Sequence, residues 1–261
     1  MKPFSDYHCH PQGHRDQPYD DALLQPWADS ARAKRLSEIA FTDHDRYCSG
    51  VDFDALERVR AANPDVKIRA GIELDTDPVS GSRGRAWVER NWERLDFVLG
   101  SVHHLGAAKM FDSTGQESQL AGRPIDEIYA DYFSRVQRQA EAGVIDCLSH
   151  LDLIKIHGNR PKSDVLTLVE PLLQCVKARG LALEISTAGW RKPVGEIYPE
   201  KRVILRAREL GIPFTTASDA HSHVQLGENY ERLGALLNEC GITEVAVYER
   251  HRRTMMPLCR G

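Results

Sequence analysis

Two pairs of metal-ligand side chains stand near opposite ends of the chain. They are His8 and His10 in Asp6-Tyr7-His8-Cys9-His10, and Asp219 and His221 in Ser218-Asp219-Ala220-His221. Within each pair the residues are two positions apart, and residues i and i+2 of a β-strand point to the same face. Each pair is therefore placed to grip one ion at a strand end. Between them lie Thr42-Asp43-His44-Asp45, Gly71-Ile72-Glu73-Leu74-Asp75, Ser101-Val102-His103-His104 and Ser149-His150-Leu151-Asp152, each in or just after an apolar run of strand length. One histidine after a strand is unremarkable. Six such placements point to a multinuclear metal site.

The strand-end candidates are His8, His10, His44, Glu73, His103, His150, Asp219 and His221, with His14 just beyond the first strand. Neutral imidazole and carboxylate suit Zn²⁺, Mn²⁺ or Fe²⁺, and one carboxylate can bridge two ions. Taken alone, each is more often a hydrogen-bonded or exposed residue than a ligand. Glu73 and Asp219 weigh most, because a buried carboxylate needs a cation or a donor to offset its desolvation. Of the 11 histidines, His104, His157, His223 and His251 are left without a role. Strand alternation allows only one of His103 and His104 to point inward.

The elements that must hold these groups read as alternating strands and helices. Expected strands are Phe4–Tyr7, Glu38–Thr42, Lys67–Leu74, Leu95–Ser101, Val144–Ser149, Ala182–Ser186, Pro213–Ser218 and Glu244–Val247. Helical periodicity covers Pro26–Arg35, Asp54–Asn63, Trp87–Arg94, Pro124–Ala142, Ser163–Arg179, Glu200–Leu210 and Tyr230–Cys240. Gly180 and Gly211 stand where helix C-caps require left-handed geometry, and a strand follows each almost at once. Such alternation predicts parallel pairing through crossovers, hence an α/β sheet or barrel. The barrel is preferred because ligands from strands along the whole chain must converge, which ring closure achieves most simply. Thr76–Arg83 and Gly106–Gly122 read as loops, the second long enough for a lid or rim. No repeat, low-complexity tract or linker divides residues 1–261, which read as one domain.

Bulk properties exclude little beyond this. With 34 basic against 38 acidic residues there is no electrostatic reason to expect nucleic-acid binding. No apolar run approaches the roughly 20 residues needed to cross a bilayer, and the first residues lack the apolar core of a signal peptide. Six cysteines at 9, 48, 147, 175, 240 and 259 include no CxxC pair and read as reduced thiols of a cytoplasmic protein.

The six motifs, with Thr42-Asp43-His44, Gly71-Ile72-Glu73 and Gly100-Ser101-Val102-His103 in their order and spacing, resemble those of the PHP (polymerase and histidinol phosphatase) superfamily. Ser186-Thr187-Ala188-Gly189-Trp190-Arg191-Lys192 followed by Gly195-Glu196-Ile197-Tyr198-Pro199 resembles a stretch of its histidinol-phosphate phosphatase branch. The resemblance covers essentially the whole chain. It implies a distorted (β/α)₇ TIM-like barrel holding three divalent ions. Carried onto this sequence, His8, His10, Glu73 and Asp219 would hold the first. Glu73, His103 and His150 would hold the second, with Glu73 bridging. His14, His44 and His221 would hold the third. Of the two adjacent histidines it selects His103.

Such a cluster favours phosphoester hydrolysis. Paired ions lower the pKa of a shared water from about 15.7 to near neutrality, and a third ion neutralises phosphate oxygens. A phosphate dianion repels anionic nucleophiles, so arginine forks are also expected. Arg191 and Arg160 each follow a strand and are candidates, against the alternative of solvated surface arginines. Lys162 and Lys192 are weaker ones. Glu127, Asp131, Arg135, Arg138 and Glu141 read as a solvated helix face, and Glu249, Arg250, His251, Arg252 and Arg253 as an exposed, mostly basic patch. Trp87, Trp92 and Tyr129 read as core.

The resemblance thus implies a cytoplasmic metal-dependent phosphatase acting on a small phosphate monoester, L-histidinol phosphate in histidine biosynthesis. Its rivals are a PHP hydrolase of nucleotides, cyclic phosphates or other small esters, and a non-catalytic metal-binding PHP module. An amidohydrolase-type barrel shares the early His-x-His and late Asp, but leaves Glu73, His44 and His221 unexplained.

Overall fold

The computed structural model describes residues 4–76, 81–106, 110–112, 120 and 122–258. Seven strands form one parallel sheet in sequence order: β1 (Ser5–Cys9), β2 (Glu38–Phe41), β3 (Lys67–Asp75), β4 (Phe97–Ser101), β5 (Cys147–Leu148), β6 (Ala182–Ser186) and β7 (Phe214–Ala217). A helix follows each: α1 (Asp21–Ala33), α2 (Phe53–Ala62), α3 (Gly81–Asn91), α4 (Ile125–Glu141), α5 (Val165–Arg179), α6 (Lys201–Glu209) and α7 (Tyr230–Glu239). The sheet curls until its edges meet. His10 N–H donates to Ala220 O at 2.8 Å, and Ala220 N–H to His8 O at 3.3 Å. The result is the expected distorted (β/α)₇ barrel in a single domain.

Local chemistry explains most boundaries. Asp20, Asp52 and Asp164 accept hydrogen bonds from the first-turn amides of α1, α2 and α5. Gly180 ends α5 with φ 67°, and Gly211 follows α6 with φ 74°, as their positions predict. Two helix starts differ. Helix α1 starts at its Asp20 cap rather than at Pro26, which sits inside the helix and forgoes one backbone bond. Helix α3 begins at Gly81, within the stretch read as loop. Gly84 there is a packing residue, because a Cβ would lie 2.0 Å from Asp45 Oδ2. Most of the expected lid or rim at Gly106–Gly122, and residues 77–80, lie outside the described residues.

Strand β1 carries an irregularity that matters for the site. Between Asp6 and Cys9 it advances three residues while β2 advances only from Ile39 to Phe41. This bulge resets the alternation, so Tyr7 and His8 both face the barrel interior. Tyr7 packs at the floor with Phe97, Leu99, Cys147 and Ala182. His8 turns to the opposite end, against Glu73 and Glu184.

A final antiparallel hairpin, β8 (Glu244–Glu249) and β9 (Arg252–Pro257), plugs that floor. Ala246, Val247 and Tyr248 join the Tyr7 cluster, and Tyr248 N–H donates to Tyr7 Oη at 2.6 Å. Of the patch read as exposed, Glu249, Arg250, Arg252 and Arg253 are exposed and His251 alone is partly buried. The hairpin's turn is Arg250-His251, with φ 47° and 61°, a conformation normally supplied by Asn-Gly. Asp96 accepts from both turn amides, at 3.1 and 2.9 Å. His251 stacks on Trp92 at 3.6 Å and reaches Asp146 at 2.8 Å. Tyr129 is buried as expected, and Trp87 stacks on Phe53 at 5.9 Å. Among the described residues all five cysteines are unpaired, and no helix is long and apolar enough to cross a membrane.

Candidate metal centre

The C-terminal ends of the strands converge on Glu73, which β3 carries into the barrel mouth with 1% of its side chain exposed. Its Oε1 lies 3.4 Å from His8 Nε2, 3.3 Å from His150 Nε2 and 3.6 Å from His103 Nε2. Its Oε2 lies 2.6 Å from His44 Nδ1 and 3.8 Å from His10 Nε2. Asp219 Oδ1 approaches His10 Nε2 at 3.2 Å, His8 Nε2 at 3.7 Å and His221 Nδ1 at 3.7 Å. His14 is exposed on the turn after β1, yet its ring lies 4.3 Å from that of His221 and 5.6 Å from that of His44. All nine predicted ligands therefore gather at one mouth.

Among the described residues three triads bring ligand atoms within 4.8 Å of one another: His8 with Glu73 and His150, His8 with His10 and Asp219, and His10 with His44 and His221. His8, His10 and Asp219 of the expected first set fall in one triad, while His103, 3.6 Å from Glu73 Oε1, and His14 lie outside all three.

These residues fit divalent cations on their own chemistry. His8 Nε2, His10 Nδ1, His44 Nδ1 and Nε2, Glu73 Oε2 and His221 Nε2 are buried without a hydrogen-bond partner. The short approach of His44 Nδ1 to Glu73 Oε2 lacks hydrogen-bond angles. Orphaned buried polar atoms in such numbers are costly unless something else binds them. Burial and mutual repulsion push His10 and His44 below the usual histidine range, and His221 to about 4. They are neutral near pH 7, the form that ligates metals. Burial would raise the Glu73 carboxyl, but His8, His44 and His103 outweigh it and hold the group well below the usual range. Asp219 is held down likewise, with His8 and His10 acting against burial.

Several supporting groups went unassigned in the sequence. Glu184 is fully buried on β6; its Oε2 lies 2.8 Å from His8 Nδ1, and its Oε1 accepts from His150 N–H at 3.1 Å. A glutamate inside the apolar Ala182–Ser186 run was the clue. Asp75 lies 2.9 Å from His103 Nδ1 and 3.5 Å from His104 Nδ1. Both adjacent rings thus turn inward to one carboxylate. Alternation does not separate them because β4 ends at Ser101. Burial opposes charging His103, but Asp75 and Glu73 raise it to about 10. Ser101 Oγ donates to Glu73 Oε1 at 2.6 Å. Asp43 takes Tyr19 Oη at 2.6 Å and Gln12 N–H at 2.9 Å, fixing the loop before His44.

The two arginines part company. Arg191 lines the cavity of about 760 Å³ above the cluster, together with Arg46 and Lys192. Its Nη2 donates to Ser218 O at 2.7 Å and Asp219 O at 3.0 Å, while Nη1 is buried and unpartnered. It braces the Asp219 backbone, whose φ of 50° is rare outside glycine. Arg160 does not line the cavity; it lies 2.7 Å from Glu196 and 3.7 Å from Glu200.

A family model described as PHP domain matches residues 6–188, more than half the chain. This chain belongs to the PHP family. A Deinococcus radiodurans relative named "Probable histidinol-phosphatase" is 32% identical, over 87% of this chain and 90% of the relative. The Bacillus subtilis protein named histidinol-phosphatase is 25% identical, over 87% of this chain and 98% of its own length. The PHP chain also superposes on the crystal structure of Lactococcus lactis histidinol phosphate phosphatase complexed with Zn, L-histidinol and phosphate. There the TM-score is 0.77 at 21% identity, covering 96% of this chain and 98% of the other. At that identity the likeness establishes the barrel fold.

Proposed function

We propose that this PHP chain is a metal-dependent phosphatase that hydrolyses L-histidinol phosphate to L-histidinol and phosphate. The convergence of Glu73, Asp219 and seven imidazoles at one barrel mouth carries the reading. Relatives spanning most of the chain and named histidinol-phosphatase supply the substrate.

His8, His10, Glu73 and Asp219, then Glu73, His103 and His150, and at the rim His44 and His221 with His14 would hold three ions, drawn from Zn, Mn or Fe. Bound there, divalent cations supply an acidified water and neutralise phosphate charge. The chain's own residues do the rest. Glu184 and Asp75 fix the His8 and His103 rings through the nitrogen that faces away from the cluster, which sets their tautomers. Arg191 holds the Asp219 turn with one nitrogen and turns the unpartnered one to a phosphoryl oxygen. Lys192 and Arg46 add positive potential at the same cavity, drawing in a dianion. The relatives and Arg191 favour this reading over a non-catalytic module.

The test is phosphate release by protein loaded with Zn, Mn or Fe from a panel of histidinol phosphate, nucleoside monophosphates and sugar phosphates. Histidinol phosphate should lead in kcat/KM by about a hundredfold. A nucleotide in first place would transfer the chemistry to another substrate. No release from any member with any metal would leave only the binding module.

A further inference from the structure

The cavity above the histidine cluster has a carboxylate that the metal reading does not use. Asp112 lines its wall, and Asp112 Oδ1 is buried without a hydrogen-bond partner. Among the described residues the only other carboxylates lining the cavity are Glu73 and Asp219, both surrounded by imidazoles. Asp112 is held in place from beneath. Phe111 is fully buried edge-on to Tyr132 at 5.7 Å. Its N–H donates to His103 O at 3.0 Å, and its carbonyl lies 2.8 Å from His157 Nε2.

The cavity's basic groups do not neutralise this carboxylate. Among the described residues none of Arg191, Arg46 and Lys192 ion-pairs with Asp112: Arg191 contacts the Asp219 turn and lies 3.5 Å from Glu228, and Arg46 approaches Met110 Sδ at 3.3 Å. Met110, Leu153 and Ile156 give the same cavity an apolar lining, in which an unpaired carboxylate oxygen is costly. A donor brought by the bound molecule removes that cost. Phosphate cannot be that donor, since it offers only negative charge to the bases across the cavity. The remaining part of the molecule must bring the positive charge.

We propose that Asp112 receives the ammonium group of the substrate's alcohol portion, and so selects phosphate monoesters of amino alcohols over those of neutral alcohols. The inference deepens the phosphatase reading and rests on it. It makes Asp112 the residue of specificity, while the metal cluster attends to the phosphate.

The test compares wild type with Asp112→Asn on two substrate pairs: L-histidinol phosphate against its deamino analogue imidazolylpropyl phosphate, and O-phosphoethanolamine against ethyl phosphate. Wild type should favour the amine of each pair by about 30-fold in kcat/KM, and the variant by less than about threefold. The loss should fall on the amine substrates alone, with metal content unchanged. An equal loss on both members of a pair, or an undiminished amine preference, overturns the proposal. So does a wild type indifferent to the amine. A wild type that ignores histidinol phosphate but still prefers phosphoethanolamine through Asp112 would sink the histidinol reading and leave this one standing.

Discussion

Glu184 Oε2 lies 2.8 Å from His8 Nδ1, and neither side chain has exposed surface. The contact fixes which nitrogen of His8 faces Glu73. The other Glu184 oxygen holds the backbone of His150, so one carboxylate orients two groups of the cluster. Glu184→Gln keeps the volume but weakens both contacts. Metal affinity should fall by about 10–100-fold, as for other carboxylates behind a metal-bound histidine. Competition against a chromophoric chelator measures it, and unchanged affinity would reduce Glu184 to a packing residue.

Glu73 stands between five imidazoles, and its charge binds the cluster together. Glu73→Gln should strip metal from the protein and lower phosphatase activity by about a thousandfold or more. His44→Ala and His221→Ala, by contrast, should lose only part of the metal. Elemental analysis after gel filtration separates the two behaviours. Full metal loading and near-normal turnover in the Glu73 variant would remove its bridging role.

Arg191 and Arg160 both follow a strand, the resemblance of the Ser186–Lys192 stretch favours Arg191, and their surroundings divide them. Arg191→Ala should lower kcat/KM by about 2–4 kcal/mol, comparable to losing one preorganised oxyanion donor. Arg160→Ala should change it by less than about 1 kcal/mol, since its partners are the Glu196 and Glu200 carboxylates. Steady-state kinetics on the best substrate decides, and the reverse order would refute the assignment.

The floor hairpin introduces a dependence on pH far from the active end. Burial opposes charging His251, but the Asp146 carboxylate at 2.8 Å outweighs it and raises the imidazole's pKa. The stabilisation is therefore complete below the unfolded value near 6.5 and fades as pH climbs through the higher folded value. Urea titrations of wild type and His251→Gln should differ by about 1.5 kcal/mol at pH 6 and by less at pH 9. An equal gap at both values would credit the Trp92 stack alone.

What could be read in advance follows from how local each feature is. His8 with His10 and Asp219 with His221 were legible because alternation along a strand needs no knowledge of neighbours. Glu73 was legible because a charge within an apolar run demands a reason, and Glu184 offered the same clue inside Ala182–Ser186. The hairpin was hidden because Arg250-His251 adopts its turn only with Asp96 and Trp92 in place, more than 150 residues earlier in the chain. The placement of Arg160 was equally non-local, since Glu196 and Glu200 reach it from another segment. His103 and His104 misled because an alternation rule was carried past the end of its strand.

The bulge in β1 implies an unusual mutational fragility. Removing one residue between Asp6 and Cys9 would restore regular pleating, and the shortened strand could still hydrogen-bond to β2. The two candidates are Tyr7 and His8, so the deletion takes either the aromatic that packs the floor or the imidazole that touches Glu73 and Glu184. A lesion of a single codon, at His8, would thus leave a plausible barrel while removing a ligand shared by two of the triads. In a set of homologous sequences, an alignment gap at this point would mark a chain that had abandoned the chemistry before it abandoned the fold.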